Sequence, residues 1–208
     1  MLDTETLSRY HFDSADPPHT QDYVTPRILE CYRSLGAKRI LDLGCGNGAL
    51  CAALATTGVD VMGCDPSRDG IALARRAHPH TQLHSLSVYD DPARLDAGDF
   101  DAVVSTEVIE HLFQPRSLPR FAFKVLKTGG HLILSTPYHG YIKSLALSVA
   151  GKWDRHWSPL WDGGHIKFWS RAGLDQLLTE EGFDFVKFIG TGRVPYLWKS
   201  MVVVYRKS

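Results

Sequence analysis

Arg39-Ile-Leu-Asp-Leu-Gly-Cys-Gly-Asn-Gly48 is the stretch whose reading decides the fold. A short apolar run, Ile40 to Leu43, ends in three glycines at alternate positions, and an alanine-rich segment follows. Such a pattern predicts a buried strand, a tight turn and the start of a helix. Gly44, Gly46 and Gly48 leave the turn without side chains, so the backbone can approach a ligand closely while the helix points its N-terminus at it. The stretch therefore implies a nucleotide-like cofactor.

Two cofactor classes fit. Gly44-x-Gly46-x-x-Ala49, with Asp65 after the next apolar run, satisfies the dinucleotide fingerprint and implies an NAD-dependent oxidoreductase. Asp42 argues the other way. A carboxylate at the mouth of the turn repels a pyrophosphate but suits a cationic amino-acid moiety, and S-adenosylmethionine carries both an ammonium and a sulfonium. Val59-Asp-Val-Met-Gly-Cys-Asp65 reads as a strand ending in a second carboxylate, placed to accept hydrogen bonds from two ribose hydroxyls. Asp65 also suits the cap of a helix around Ile71 to Arg76, and the two roles are compatible.

Leu41-Asp-Leu-Gly-Cys-Gly-Asn-Gly48 resembles the first motif of class I S-adenosylmethionine-dependent methyltransferases. The resemblance implies a Rossmann-like α/β fold, with a mostly parallel seven-stranded sheet, helices on both faces and a C-terminal antiparallel hairpin. It also implies that Asp42, Gly44, Cys45, Gly46 and Asp65 meet the cofactor, with Pro66 and Ser67 beside the adenine. Tyr89 or Asp90 takes the adenine-contact position, and Thr106 and Glu107 the strand end near the methionine portion. Asp90 and Asp91 read equally well as a turn or cap before Pro92. Thr25-Pro-Arg27 resembles the segment whose arginine pairs with the cofactor carboxylate in ubiquinone-biosynthesis O-methyltransferases. An exposed helix arginine is the competing reading.

The 208 residues suffice for one well-buried domain, and nothing in them resembles a linker, so a single domain over 1–208 is expected. Lys plus Arg (23) equals Asp plus Glu (23), which favours a small-molecule acceptor over nucleic acid. Met1 to Leu7 is polar and acidic, unlike a secretion signal, and Cys31, Cys45, Cys51 and Cys64 include no Cys-x-x-Cys pair. Both features suggest a cytoplasmic chain with reduced thiols and no zinc site. No apolar stretch reaches the roughly 18 to 20 residues that span a bilayer. The sequence carries no signal for oligomeric state.

An amphipathic helix is expected from about 23 to 36, closed by Gly36, and another from Cys51 to Thr57, closed by Gly58. Strands are expected at Val59 to Gly63, Gln82 to Tyr89, Phe100 to Ser105 and His131 to Ser135, with helices between them. After a helix from Leu174 to Glu181, the runs Phe183 to Ile189 and Met201 to Tyr205 read as a hairpin with a Gly/Pro-containing loop.

Glu107-Val-Ile-Glu110-His111 spaces three polar side chains for one face of a helical turn. Glu107, Glu110 and His111 suit a divalent ion, or His111 suits a general base oriented by the carboxylates. The same pattern in the ubiquinone-type O-methyltransferases implies a magnesium-class ion. Ser135-Thr-Pro137-Tyr-His139 and Gly163-Gly-His165-Ile-Lys-Phe168 resemble that subfamily too, and make His139 and His165 candidate bases or acceptor contacts. Between them an insert, about 140–162, carries an apolar helix (Tyr141 to Val149) and Trp153, Trp157 and Trp161. Such a lid excludes water and offers flat apolar walls to an aromatic or lipid-like acceptor, and it is compatible with peripheral contact at a membrane. The expected activity is methyl transfer to a small molecule, most simply to an oxygen. A non-catalytic cofactor-binding module is the rival from another class. Asn47 stands where that subfamily often has glycine, so an identical acceptor is not implied.

Overall fold

The computed structural model describes residues 12, 14, 16–161 and 163–208. The reading of Met1 to Leu7 and the far end of the insert at Asp162 lie outside the described residues. Seven strands form one sheet: β1 (Arg39–Leu43), β2 (Asp60–Asp65), β3 (Gln82–Ser85), β4 (Phe100–Thr106), β5 (Leu126–Pro137), β6 (Phe183–Thr191) and β7 (Ser200–Lys207). Their order is β3-β2-β1-β4-β5-β7-β6. The first five run parallel, and β7 is antiparallel to both β5 and β6, so the hairpin closes the sheet as expected.

Among the described residues the α-helices are α1 (Gln21–Leu35), α2 (Ala49–Ala55), α3 (Arg68–Ala77), α4 (Ser117–Val125), α5 (Tyr141–Val149), α6 (Trp153–Trp157) and α7 (Arg171–Glu180). Alternation along the strands divides the core into two layers, because successive side chains point to opposite faces. Ile40, Val61, Ala102, Val104 and Ile133 pack with Ile28 of α1, Leu50 of α2 and Ile71 of α3. Leu41, Leu43, Val103, Leu132 and Leu134 pack with Phe121 of α4 and Leu178 of α7. Strands covered on both faces read as continuous apolar runs, which is why β1 and β4 were legible.

Strand order reverses between β1 and β4, so a crevice opens at the carboxyl ends of the strands there. Two elements depart from the sequence reading. β3 stops at Ser85 rather than Tyr89, because Leu86 to Asp90 turns back on itself: the Ser87 amide donates to Asp90 Oδ2 (2.8 Å) and the Asp90 amide to the Ser87 carbonyl (3.0 Å). β5 is longer than His131 to Ser135, since it begins at Leu126 and passes an irregularity opposite Phe100.

Candidate functional site

The crevice is a cavity of about 430 Å³, within the usual range for small-molecule sites. Its floor is the glycine turn. Gly44, Gly46 and Gly48 have φ of 89°, 53° and 79°, the left-handed region that favours glycine. The turn is tied to β2, as the Gly44 and Cys45 amides donate to the Cys64 carbonyl (2.8 and 3.1 Å) and the Gly46 amide donates to Asp65 Oδ2 (2.9 Å). Asp65 Oδ1 takes the Ser67 amide (2.7 Å), so the carboxylate at the end of β2 is fixed from two sides while still lining the cavity.

Asp42 lies at the base of the turn with no exposed surface. Its Oδ2 accepts a hydrogen bond from Cys51 Sγ (3.2 Å), and its Oδ1 has no partner. Burial pushes its pKa up to about 7, opposed by the Cys51 hydrogen bond and reinforced by the charge of Asp65. Burial also raises Asp65. A buried carboxylate with an unpartnered oxygen beside a cavity fits a cationic ligand group, which is the chemistry that a sulfonium-bearing amino-acid moiety brings.

The cavity gathers Asp42, Gly44, Cys45, Gly46, Asp65, Pro66, Tyr89, Thr106, Glu107, His111 and His165 from the residues singled out in the sequence. It does not gather Arg27, Asp90, Glu110 or His139. Arg27 stands on the outer side of α1, where it pairs with Glu30 at 3.1 Å and its side chain is 48% exposed, because helical spacing carries it away from the buried stripe of Val24, Ile28 and Cys31. Asp90 closes the turn after β3 and pairs with Arg94 (2.7 Å), the turn-and-cap reading of that residue.

Glu107, Glu110 and His111 do not share a helix face. Glu107 has φ of 55°, and the helical turn is a short 3-10 one confined to Ile109–His111. Glu107 instead accepts from Ser135 Oγ (2.8 Å) and Ser200 Oγ (3.3 Å), and burial raises its pKa to about 7. The fully buried Glu110 accepts from Thr136 Oγ1 (3.0 Å), leaves Oε1 without a hydrogen-bond partner, and is held well above the usual carboxylate range by burial and by Glu107.

His165 takes the place that Glu107 was expected to fill. The Ile166 and Lys167 amides both donate to the Glu110 carbonyl (2.9 and 3.0 Å), which brings His165 Nε2 to 3.9 Å from Glu110 Oε1. Glu110, His111 and His165 each offer a ligand atom, all within 4.8 Å of one another. One carboxylate and two imidazoles form a nitrogen-rich set that suits a transition metal better than Mg²⁺, which prefers oxygen ligands. His111 Nδ1 lies 2.9 Å from the Gly163 carbonyl, an acceptor only, so in the neutral ring Nδ1 carries the proton and Nε2 the lone pair. Burial lowers the pKa of His111, and of His165 to about 4, keeping both rings neutral.

Trp161 meets His111 and His165 edge to face at 5.7 and 5.5 Å, so the insert does reach the cavity. His139 lies beneath the insert, against His156 (5.3 Å) and Phe168 (5.2 Å), and burial drives its pKa down to about 3, too low for an effective base. The outer surface of α5 is apolar and exposed, with Tyr141 and Val149 each 82% accessible.

Sequence reasoning missed Phe12, Thr20, Gln21, Tyr23, Lys199 and Ser200, all of which line the cavity. Asn47 was noted only as a departure from glycine. Its Nδ2 donates to the carbonyls of Ser14 (3.0 Å) and Asp16 (2.8 Å), which holds the segment preceding α1 over the turn, and the Phe12 ring fills the space where a Cβ on Gly46 would lie. An amide side chain inside a glycine turn was the available signal.

Comparison with known proteins agrees with this geometry. A family model described as a methyltransferase domain matches residues 19–187. A ubiquinone biosynthesis O-methyltransferase of Cereibacter sphaeroides is 32% identical over 194 residues, covering 87% of this chain and 77% of that protein. The PH0226 protein of Pyrococcus horikoshii superposes with a TM-score of 0.70 at 19% identity, covering 91% of this chain and 90% of that one. Magnesium protoporphyrin IX methyltransferase from Synechocystis, solved with bound S-adenosylhomocysteine, superposes at 0.65 with 18% identity and covers 98% and 93%. The two structural matches speak for the fold. The dinucleotide reading of Gly44-x-Gly46-x-x-Ala49 is overturned by the family match.

Proposed function

Since this chain belongs to the class I S-adenosylmethionine-dependent methyltransferases, we propose that it methylates a hydroxyl oxygen of a small aromatic or lipid-like acceptor, with His111 as general base. The observation that carries the reading is a single cavity joining Asp42, the glycine turn and Asp65 to His111 and His165 beneath Trp161. The cofactor supplies an electrophilic methyl group on a sulfonium.

The chain's own residues then bind, align and exclude water. Asp65 accepts from the ribose hydroxyls, Asp42 balances the positive methionine portion, and Pro66 and Tyr89 flank the adenine. Gly44 to Gly46 and Thr106 offer backbone groups to the remainder. Displacement at an unhindered carbon needs mainly in-line alignment and dryness, which Trp161 and the insert over 140–162 provide as a lid on one domain. His111 Nε2 accepts the acceptor's hydroxyl proton while the Gly163 carbonyl fixes the ring through Nδ1. The aromatic and apolar walls that Trp161, Leu112 and Pro137 give the cavity, and the exposed apolar face of α5, support an aromatic or lipid-like acceptor, including one drawn from a membrane surface. Among the described residues no helix is long and apolar enough to cross a membrane.

Melting the purified protein with S-adenosylmethionine, S-adenosylhomocysteine or NAD⁺, followed by methyl transfer to catechol and its alkylated derivatives, tests the assignment. Stabilisation by the two sulfur ligands with O-methylated product is expected. Product methylated only on ring carbon, with both hydroxyls left free, would refute the oxygen acceptor.

A metal-assisted variant is favoured by the unpartnered Glu110 Oε1 beside two imidazoles. Glu110, His111 and His165 would hold the ion, which would lower the pKa of an acceptor hydroxyl. Turnover abolished by a chelator and restored by Zn²⁺ or Mn²⁺ would select this variant, and turnover indifferent to chelation would select His111 acting alone.

A further inference from the structure

The cavity is lined by three buried or half-buried carboxylates, Asp42, Asp65 and Glu107, and by one Lys or Arg side chain, Lys199. That imbalance matters, because the methionine portion of the cofactor carries a carboxylate as well as an ammonium. A ligand carboxylate set among three protein carboxylates is repelled unless a cation faces it. Arg27, the residue that resemblance assigned to this task, is held by Glu30 outside the cavity.

Lys199 is the last residue of the loop between β6 and β7, and its backbone is anchored on both sides. Its amide donates to the Thr191 carbonyl (2.9 Å), and its carbonyl accepts from the Tyr138 amide (3.0 Å) and from Lys143 Nζ (3.4 Å). Lys143 is therefore spent on carbonyls, with a second bond to Tyr138 at 2.8 Å. The Lys199 ammonium lies 5.0 Å from the centroid of the Tyr23 ring, in the first turn of α1. Among the described residues it forms no ion pair, whereas Arg27, Lys127 and Lys187 each have a carboxylate partner.

We propose that Lys199 receives the carboxylate of the cofactor's methionine portion, with Tyr23 as the flat wall that orients the ammonium. The proposal rests on the cofactor occupying this cavity. It makes Lys199 a binding residue supplied by the closing hairpin, so the β6–β7 loop takes part in cofactor selection. A lysine here is a point charge on a flexible stem, and an arginine at the same position would serve the same partner.

Calorimetric titration with S-adenosylhomocysteine and with 5′-methylthioadenosine, which keeps the adenosine and the sulfur but lacks the amino-acid portion, tests the assignment. Lys199→Met should weaken S-adenosylhomocysteine about tenfold while leaving 5′-methylthioadenosine within about twofold, and Lys199→Arg should restore most of the loss. Lys199→Met that spares S-adenosylhomocysteine, or that weakens both ligands alike, overturns the proposal. Asp65→Ala is the control for the cavity itself: it should weaken both ligands, and if it weakens neither, the cavity assignment fails rather than the role of Lys199.

Discussion

Replacing Asp42 by asparagine should alter stability in a way that depends on pH. The carboxyl is fully buried, one oxygen accepts from the Cys51 thiol and the other has no partner. Burial raises its pKa from 3.8 to about 7. Between those values the folded chain retains a proton that the unfolded chain releases. The group's contribution is thus fully present below the unfolded value and is lost as pH rises through the folded one. A shift of about 3 units at about 1.4 kcal/mol each bounds that loss at roughly 4 kcal/mol.

Asparagine does not titrate. Its amide oxygen can take the Cys51 thiol, but its NH₂ is left buried, at a cost of about 1–3 kcal/mol at every pH. The variant should therefore be less stable than the wild type near pH 4.5 and should gain on it by roughly 2–4 kcal/mol near pH 8. Urea unfolding of both proteins across that range, without ligand, reads the difference directly. A constant offset between the two curves would refute the reasoning. In the wild type a cationic ligand group near Asp42 should also expel its proton, so S-adenosylhomocysteine binding near pH 6 should release up to about one proton, measured by calorimetry in buffers of different ionisation heat, and the variant should release none.

Asp65→Asn should weaken S-adenosylhomocysteine by about tenfold to a hundredfold, the loss of hydrogen bonds to a charged acceptor, as measured by calorimetry. For His111→Gln, kcat should fall by about 10²–10⁴ while cofactor affinity stays within about twofold; unchanged turnover would remove His111 from the chemistry. Gly46→Ala should cost about 1–2 kcal/mol in urea unfolding and reduce cofactor affinity, since the new Cβ meets the Phe12 ring 2.5 Å away at a positive φ. Asp101 is partly desolvated, but Lys127 and the Lys38 and Arg39 amides hold its pKa at about 2. Its contribution is present above the unfolded value and lost as pH falls toward 2, so Asp101→Asn should cost about 1–2 kcal/mol at neutral pH and little near pH 2.

Much of this architecture was legible because the signals were local. The apolar run into Gly44, the carboxylate at the end of β2 and the β-rich hairpin each carry their own pattern, and each formed as read. The errors arose where two segments distant in sequence share one hydrogen-bond network. Glu107 to His111 has helical spacing, yet Ser135 and Ser200 draw Glu107 one way while Thr136 draws Glu110 another. Leu86 and Val88 look like strand residues because they are buried, but they are buried in a turn that Asp90 closes. Arg27 followed a motif, and its helix phase placed it outside. Lys199 lies in a loop without motif or period, and only the packing of that loop against Tyr23 makes it part of the cavity.

The insert stands apart from the rest of the chain in one respect: no described residue from 139 to 168 belongs to either core layer. Its path is fixed at one end by β5 and at the other by the two amides on the Glu110 carbonyl. Substitutions on the exposed face of α5, at Tyr141 or Val149, therefore cost the fold little, and those at Trp161 reshape the wall beside His111 without touching either core layer. Selection can redraw the range of acceptors there residue by residue, with the cofactor half of the cavity left intact, so descendants of one stable scaffold can diverge in substrate without first acquiring extra stability.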